Sequence, residues 1–198
     1  MEAYQSEGPL RSALDQHHSG LTLIAQEERI SEISMVTPDR LPRFFEALRE
    51  SFDVVLVDGL RNFSDLAVSV MDEADVVTVS LTQDIPAVRS ARKALKLFSR
   101  LGYSGGKTRV VLNRFHKRAM IGDAVIEEHL GVLITERIPN DFPFVSRGLS
   151  EGELLHTFNP KHPVCLAVDR LAAQLIGYQA PVQRVGLLSK LSAAIKRS

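Results

Sequence analysis

Three short runs of β-branched and aliphatic residues constrain this chain more than anything else in it. Val54-Val55-Leu56-Val57 ends on Asp58, Val76 to Leu81 follows Asp75, and Val110-Val111-Leu112 leads into Asn113. Each run is apolar at consecutive positions, so a strand built from it would bury both faces. That pattern predicts parallel strands covered by helices on each side. Leu21 to Ile24 and Val132 to Ile138 are weaker candidates for two more strands.

The stretches between these runs read as helices. Thr37 is a candidate cap with Pro38 in the first helical position, and Leu41, Phe44, Phe45 and Leu48 recur on one face. Ser64 caps a segment from Asp65 to Glu73. Asp84 and Pro86 open a longer helix with Val88, Ala91, Leu95, Phe98 and Leu101 along one side, and Gly102 stops it. Gly122 to Leu130 ends at Gly131, and Val164, Val168, Leu171 and Leu175 form a last stripe before Gly177. Strand alternating with helix predicts an α/β fold, a doubly wound, mainly parallel sheet with helices on both faces. The predicted organisation is an irregular stretch over 1–19, the α/β domain over 20–178, and a linker and tail over 179–198.

A chain of 198 residues that is 44% hydrophobic can bury one full core. Lys+Arg and Asp+Glu both number 24. The formal charge is therefore zero, and no nucleic-acid partner is expected from a global field. The single cysteine, Cys165, cannot form an internal disulfide, which fits a reducing cytoplasm. The polar, acidic stretch Met1 to Leu10 is no signal peptide, and no apolar run approaches the roughly 18 residues of a membrane span. The expectation is a soluble, cytoplasmic chain. In the tail, Leu187, Leu188, Leu191 and Ile195 share one prospective helical face, with Lys190, Lys196 and Arg197 around it. A basic amphipathic end over 185–198 suits an anionic membrane surface, peripheral at the inner membrane; the plainer alternative is a frayed or docked end.

In open parallel sheets, ligands bind beyond the carboxyl ends of the strands. The residues there are Asp58-Gly59, Thr82-Gln83-Asp84, Asn113-Arg114 and Pro139-Asn140-Asp141. A carboxylate directly after a buried run, as Asp58 is, can hold magnesium or a polarised water near phosphate oxygens. Its plainer role is to cap the following turn. Ser104-Gly105-Gly106-Lys107-Thr108 contains a Gly-Lys-Thr, but Leu101 stands where a phosphate loop needs its first glycine. This segment also follows a helix and precedes a strand, the reverse of a phosphate loop, so it predicts a helix-to-strand turn. No Gly-x-Gly-x-x-Gly follows a strand, and no Gly-x-Ser-x-Gly elbow occurs. The histidines lack zinc-type spacing; no metal site is predicted, and His17-His18 reads as an exposed loop pair.

The strand ends, in their order, carry a resemblance. Phe52-Asp53-Val54-Val55-Leu56-Val57-Asp58 is followed by Ala74-Asp75-Val76-Val77 and by Leu81-Thr82-Gln83-Asp84-Ile85-Pro86-Ala87-Val88-Arg89-Ser90-Ala91. Val111-Leu112-Asn113-Arg114-Phe115 and Ile138-Pro139-Asn140-Asp141 complete the set. Together these resemble the MinD/ParA group of P-loop ATPases over residues 20–177, and within it the CpaE/TadZ branch that positions Flp (tight-adherence) pilus machinery. The resemblance implies that Asp58 matches the switch aspartate near magnesium and the attacking water. It implies that Asn113, with Arg114 beside it, lies on the adenine side, and that Pro139 and Asn140 form the loop beside adenine and ribose. It also implies ATP and Mg2+ as cofactors of the intact family, a homodimer, and pilus or secretion assembly proteins as partners.

Two departures stand out. Gly59-Leu60 occupies the place where the family has Leu-Pro or Thr-Pro. The family's opening strand, its glycine-rich loop with catalytic lysines and the following helix and strand have no counterpart in Met1 to Gly20. In the family that opening strand lies beside the one ending in the switch aspartate. Catalysis of phosphoryl transfer is mostly electrostatic positioning of the phosphates. The expectation is therefore weak or no nucleotide binding and no hydrolysis by this chain unaided. A nucleotide-independent scaffold is the alternative.

Overall fold

The structure, a computed structural model, describes residues 15–24, 37–60, 62–103 and 106–177. The predicted amphipathic tail and most of the predicted irregular N-terminal stretch lie outside the described residues. The chain divides into two compact units, Met1–Asp75 and Val76–Ser198.

In the first unit, β1 (Asp15–Gln16) pairs with β2 (Thr22–Leu23) in an antiparallel hairpin. The His17 N–H donates to the Leu21 carbonyl at 2.8 Å, and Gly20 turns the chain at φ +90. The strand expected near Leu21 to Ile24 therefore exists, but not in a parallel sheet. Its connection to β1 is far too short for a parallel crossover. His17 is half-buried and His18 exposed, with ring centroids 3.9 Å apart in the hairpin loop.

A 3-10 turn at Pro38–Arg40 leads into α1 (Leu41–Ser51), and α2 (Asp65–Glu73) follows. Leu41, Phe45 and Leu48 of α1 bury themselves with Val70 of α2, and Phe44, Phe52 and Leu66 pack around them. Ser64 caps α2 by accepting from the Ala67 N–H at 3.3 Å, whereas the Thr37 side chain makes no cap bond. Arg49 joins the two helices through the Glu73 carboxylate at 3.2 Å and the Glu73 carbonyl. Between the helices, Val54 to Val57 runs outside any strand ladder, with Leu56 86% exposed. The expectation of a buried parallel strand fails here. Apolarity sets what a segment gains by burial, but a ladder needs a neighbour, and β1–β2 is the one ladder described in this unit.

The second unit holds a parallel sheet in the order β3-β4-β5, formed by Val77–Leu81, Thr108–Phe115 and Glu136–Pro139. The weak candidate run ending at Ile138 thus yields β5 in its second half. The crossovers are α3 (Ile85–Arg100) and α4 (Asp123–Leu130). Asp84 caps α3 by accepting from the Ala87 N–H at 2.9 Å, and the chain leaves the helix through Gly102 at φ +84. The Gly-Lys-Thr leads straight into β4, and the Lys107 ammonium lies 4.7 Å from the centre of the Tyr103 ring. It is a helix-to-strand turn.

After β5 come α5 (Phe142–Glu151), α6 (Leu155–Phe158) and α7 (Pro163–Ile176). Leu81, Val110 and Leu112 pack with Val88, Ala91, Ile126 and Leu130 into one core. Val111, pointing to the other face of β4, is 2% exposed, and α7 packs on β5 with Val164, Cys165 and Ala167 buried. Two consecutive residues of β5 show the double cover. Glu136 pairs with Arg170 of α7 at 2.8 Å, while Arg137 pairs with Asp123 and Glu127 of α4 at 2.6 and 2.9 Å. Neighbouring strand residues face opposite sides, so α4 and α7 cover opposite faces of the sheet. The doubly wound α/β class is the observed one.

The α7 stripe differs in one detail from its expectation: Val168 is 40% exposed, and Ala167 is buried in its place. In α5 a side chain at Gly148 would meet the Leu155 Cδ2 at 2.5 Å, so a glycine is what lets α6 close against this helix. Among the described residues no helix is long and apolar enough to cross a membrane.

Candidate functional site

The carboxyl ends of β3, β4 and β5 lie next to one another, and hydrogen bonds fix the loops that leave them. Gln83, just past β3, accepts from the His116 N–H at 2.6 Å and donates to the Ile121 carbonyl at 3.1 Å. One side chain thus holds both ends of the loop that follows β4. Beside it the Thr82 hydroxyl bonds to Asp84; that bond and the Ala87 N–H hold the Asp84 carboxyl below its usual value.

β4 breaks its regular register between Leu112 and Phe115. Arg114 sits there at φ 51, an uncommon conformation for a residue with a side chain. Asn113 supports it by accepting the Arg114 N–H at 2.8 Å. Such bulges redirect side chains and often adjoin sites.

The loop after β5 is equally well fixed. The Asn140 N–H donates to the Phe115 carbonyl at 3.1 Å, and its side-chain amide lies 3.2 Å from His116 Nε2. With the amide as donor, His116 Nε2 accepts. Asp141 caps α5 through the Phe144 N–H at 3.0 Å and meets His162 Nε2 at 3.3 Å. His162 stacks on Phe144 with centroids 3.6 Å apart, and its Nδ1 accepts the Val164 N–H, capping α7. Asp141 and His162 therefore tie the starts of two helices to the loop carrying Pro139 and Asn140.

An open cleft of about 560 Å³ lies here, lined among others by Phe115, His116, Lys117, Pro139, Asn140 and Arg170. Pro139 and Asn140 are among its lining residues; Asn113 and Arg114 stand at the adjoining strand end but outside the lining. Glu136 forms part of its floor. Burial raises its carboxyl, but the Arg170 guanidinium and the Arg137 N–H outweigh that and leave it below its ordinary value. Arg170 is raised in turn, chiefly by its bond to Glu136. His116, Lys117, Arg118 and Arg170 were not singled out by the sequence reading. A His-Lys-Arg cluster directly after a strand end was the available signal for three of them.

Asp58 belongs to the first unit, where its carboxylate accepts the adjacent Gly59 N–H at 2.7 Å. That contact is what a turn cap would make. Planar groups and amides in the cleft suit a heteroaromatic ring. The same residues offer no glycine-loop amides for phosphates, and no group of three acidic, His or Cys side chains among the described residues could hold a metal ion.

These features define a doubly wound α/β unit with a ligand-sized cleft at the carboxyl ends of its strands. No protein-family model matches the chain. It is similar to the septum site-determining protein MinD of Bacillus subtilis, 25% identical over 192 residues that cover 90% of this chain and 69% of that protein. It is also similar to an uncharacterised ATP-binding protein of Methanocaldococcus jannaschii, 22% identical over 178 residues, 88% of this chain and 66% of that protein. The chain thus spans about two thirds of the length of these relatives. Among solved structures, a ParA family ATPase from Chlorobium tepidum superposes with a TM-score of 0.77 at 21% identity, covering 84% of this chain and 70% of that one. MinD from Aquifex aeolicus, solved as a MinC:MinD complex, gives 0.71 at 21% identity, covering 93% and 75%. MinD from Pyrococcus horikoshii, solved with Mg-ADP, gives 0.70 at 19% identity, covering 87% and 70%. In sequence and in fold the chain is similar to MinD/ParA-type P-loop ATPases.

Proposed function

We propose that this chain is the adenine-side part of a MinD/ParA-like nucleotide switch of the CpaE/TadZ type, an ATP-binding localisation factor for pilus (Flp/Tad) or secretion machinery. The observation that carries the nucleotide reading is the pairing of the β4 and β5 ends, where Phe115, His116, Pro139 and Asn140 meet around one cleft. The CpaE/TadZ assignment rests on the ordered residue set of the strand ends. The MinC:MinD complex and the Mg-ADP complex of the similar proteins support protein partners and an adenine nucleotide by analogy.

The base is then held without its phosphates being gripped. ATP, ADP and adenosine should therefore bind the chain with similar, weak affinity, and magnesium should add little. Calorimetry measures this directly. Asn140→Ala should abolish the heat; tight, magnesium-dependent ATP binding or turnover by the chain itself would refute the reading. Reading the coding sequence upstream of Met1 tests the parent protein: an in-frame glycine-rich loop with Lys and Thr supports it, and a stop codon directly before Met1 removes it.

A scaffold that keeps the fold for protein contacts alone is the second reading. The Gly59-Leu60 departure and the local engagement of Asp58 with Gly59 favour it. It requires no nucleotide heat at all from a folded chain.

A further inference from the structure

α3 carries a charge pattern that nothing in the fold or the cleft explains. Its sixteen positions, Ile85–Arg100, include Arg89, Arg92, Lys93, Lys96 and Arg100 and no acidic residue. Arg89, Lys93, Lys96 and Arg100 follow one another at four, three and four residues, so they share one helical face over about 16 Å. All are exposed, while Val88, Ala91 and Phe98 on the inward side are buried. Among the described residues none of the four has an ion-pair partner, and Arg92 meets His129 of α4 at 3.4 Å.

A merely solvated helix face normally mixes signs. Here Arg89 and Lys93, Arg92 and Lys96, and Lys96 and Arg100 are like-charge neighbours at four residues, an arrangement that destabilises an isolated helix. Arg89 also lies in the first turns, where the helix dipole disfavours a cation. The helix tolerates this because its inner face is held by the core.

We propose that the outer face of α3 is a docking surface for an acidic segment of a partner protein, whose carboxylates pair with Arg89, Lys93, Lys96 and Arg100. Charge complementarity selects the occupant. Carboxylates three and four apart on a helix, or two apart on an extended chain, repeat at about 5–7 Å, the spacing of these cations. A bilayer fits less well, because the exposed large apolar side chains here, Ile85 and Leu101, stand at opposite ends of the helix and none lies among the cations between them. A duplex or any broad polyanion fits less well too. An acidic group, Asp84, stands at the start of the stripe, and the whole chain carries no net charge. A single acidic segment meets the cations without reaching that carboxylate. This surface is separate from the cleft and does not depend on nucleotide.

The experiment uses the full chain and a fluorescein-labelled poly-glutamate peptide of about twelve residues, long enough to follow the stripe. Anisotropy should show saturable binding that weakens several-fold as salt rises from about 0.05 to 0.2 M. The triple variant Arg89→Gln, Lys93→Gln, Lys96→Gln should bind about ten-fold more weakly or worse, while Lys161→Gln, a surface cation outside α3, binds normally. Circular dichroism melts of both variants confirm that they fold, since every substituted side chain is exposed. No saturable binding, or binding insensitive to the triple variant, overturns the proposal. So does a preference for a duplex DNA of similar charge, or for phosphatidylserine vesicles, lost in the same variant; the surface would then serve a different partner class.

Discussion

Val54-Val55-Leu56 in the first unit and Val110-Val111-Leu112 in the second are the same three residues in the same order. In β4 they are 2%, 2% and 0% exposed; in the first unit they are 51%, 37% and 86% exposed. β4 has β3 on one edge and β5 on the other, with the α3–α4 layer on one face and α7 on the opposite one. The 54–57 run pairs with no described strand. The hydrophobic gain scales with the area removed from water, but removing it also requires partners for the backbone N–H and C=O groups. The run thus records a capacity for burial that its own unit does not use, and an unpaired apolar segment of this kind invites pairing with another chain.

The sharpest way to break this comparison is to truncate the matching leucines. Leu112→Ala should cost about 2–5 kcal/mol, as buried leucines do. Leu56→Ala should change stability by no more than about 0.5 kcal/mol, because it removes little buried surface. Urea denaturation followed by circular dichroism measures both. Similar losses at the two positions would mean that the runs are packed alike.

A smaller effect is expected where β5 is tied to its helices. Arg137→Met breaks contacts to Asp123 and Glu127 that the second unit uses to fix α4, and it should cost about 1–2 kcal/mol. Arg147→Met removes the exposed pair to Glu151 and an exposed cation–π contact with the Phe158 ring at 4.6 Å, and should cost less than about 1 kcal/mol. If both variants lose equally little in the same denaturation assay, the β5 pairs do not hold the layers.

Acid should weaken the second unit in a defined direction. Asp123 is held low mainly by its bond to Arg137, and Asp84 and Glu136 are also held below their ordinary values. Folded-state carboxyls that are depressed stabilise the fold above their unfolded values, and that contribution fades as pH falls below about 4. Denaturation midpoints at neutral and acid pH should therefore separate, and Glu136→Gln should narrow the gap. An unchanged gap would assign the acid sensitivity elsewhere. The smallest expected effect is on Leu56→Lys, which should leave stability unchanged but raise the solubility limit by breaking an exposed apolar run. Unaltered solubility would show that the run is not the sticky element.

Much of the second unit was legible because its signals are local. Asp84, Gly102, Gly131 and Gly177 mark helix ends through cap bonds or left-handed turns that involve only neighbouring residues, as Ser64 does in the first unit. The α5 and α6 helices were not legible. Phe142 and Leu149, spaced to suggest a buried stripe, are 68% and 80% exposed, and Pro143 and Gly148 resemble loop residues. Asp141, which resembles part of a ligand loop, serves as the α5 cap. The failure at Val54 to Val57 has a different origin, since a strand's partners lie outside its own sequence. The site was half legible. Pro139 ends β5 and Asn140 follows it, which brings both to the cleft, whereas Asn113 stands outside the lining beside the register break, and Arg170 arrives from a helix some thirty residues later.

Amide hydrogen exchange tests the central comparison most directly, because it reads backbone pairing residue by residue. The account predicts that the amides of Val110, Val111 and Leu112 exchange only on opening of the second unit, orders of magnitude slower than a free peptide. It predicts that the amides of Val54 to Val57 exchange at close to free-peptide rates. Strong protection at both runs would contradict it, and would mean that Val54 to Val57 has found a strand partner after all.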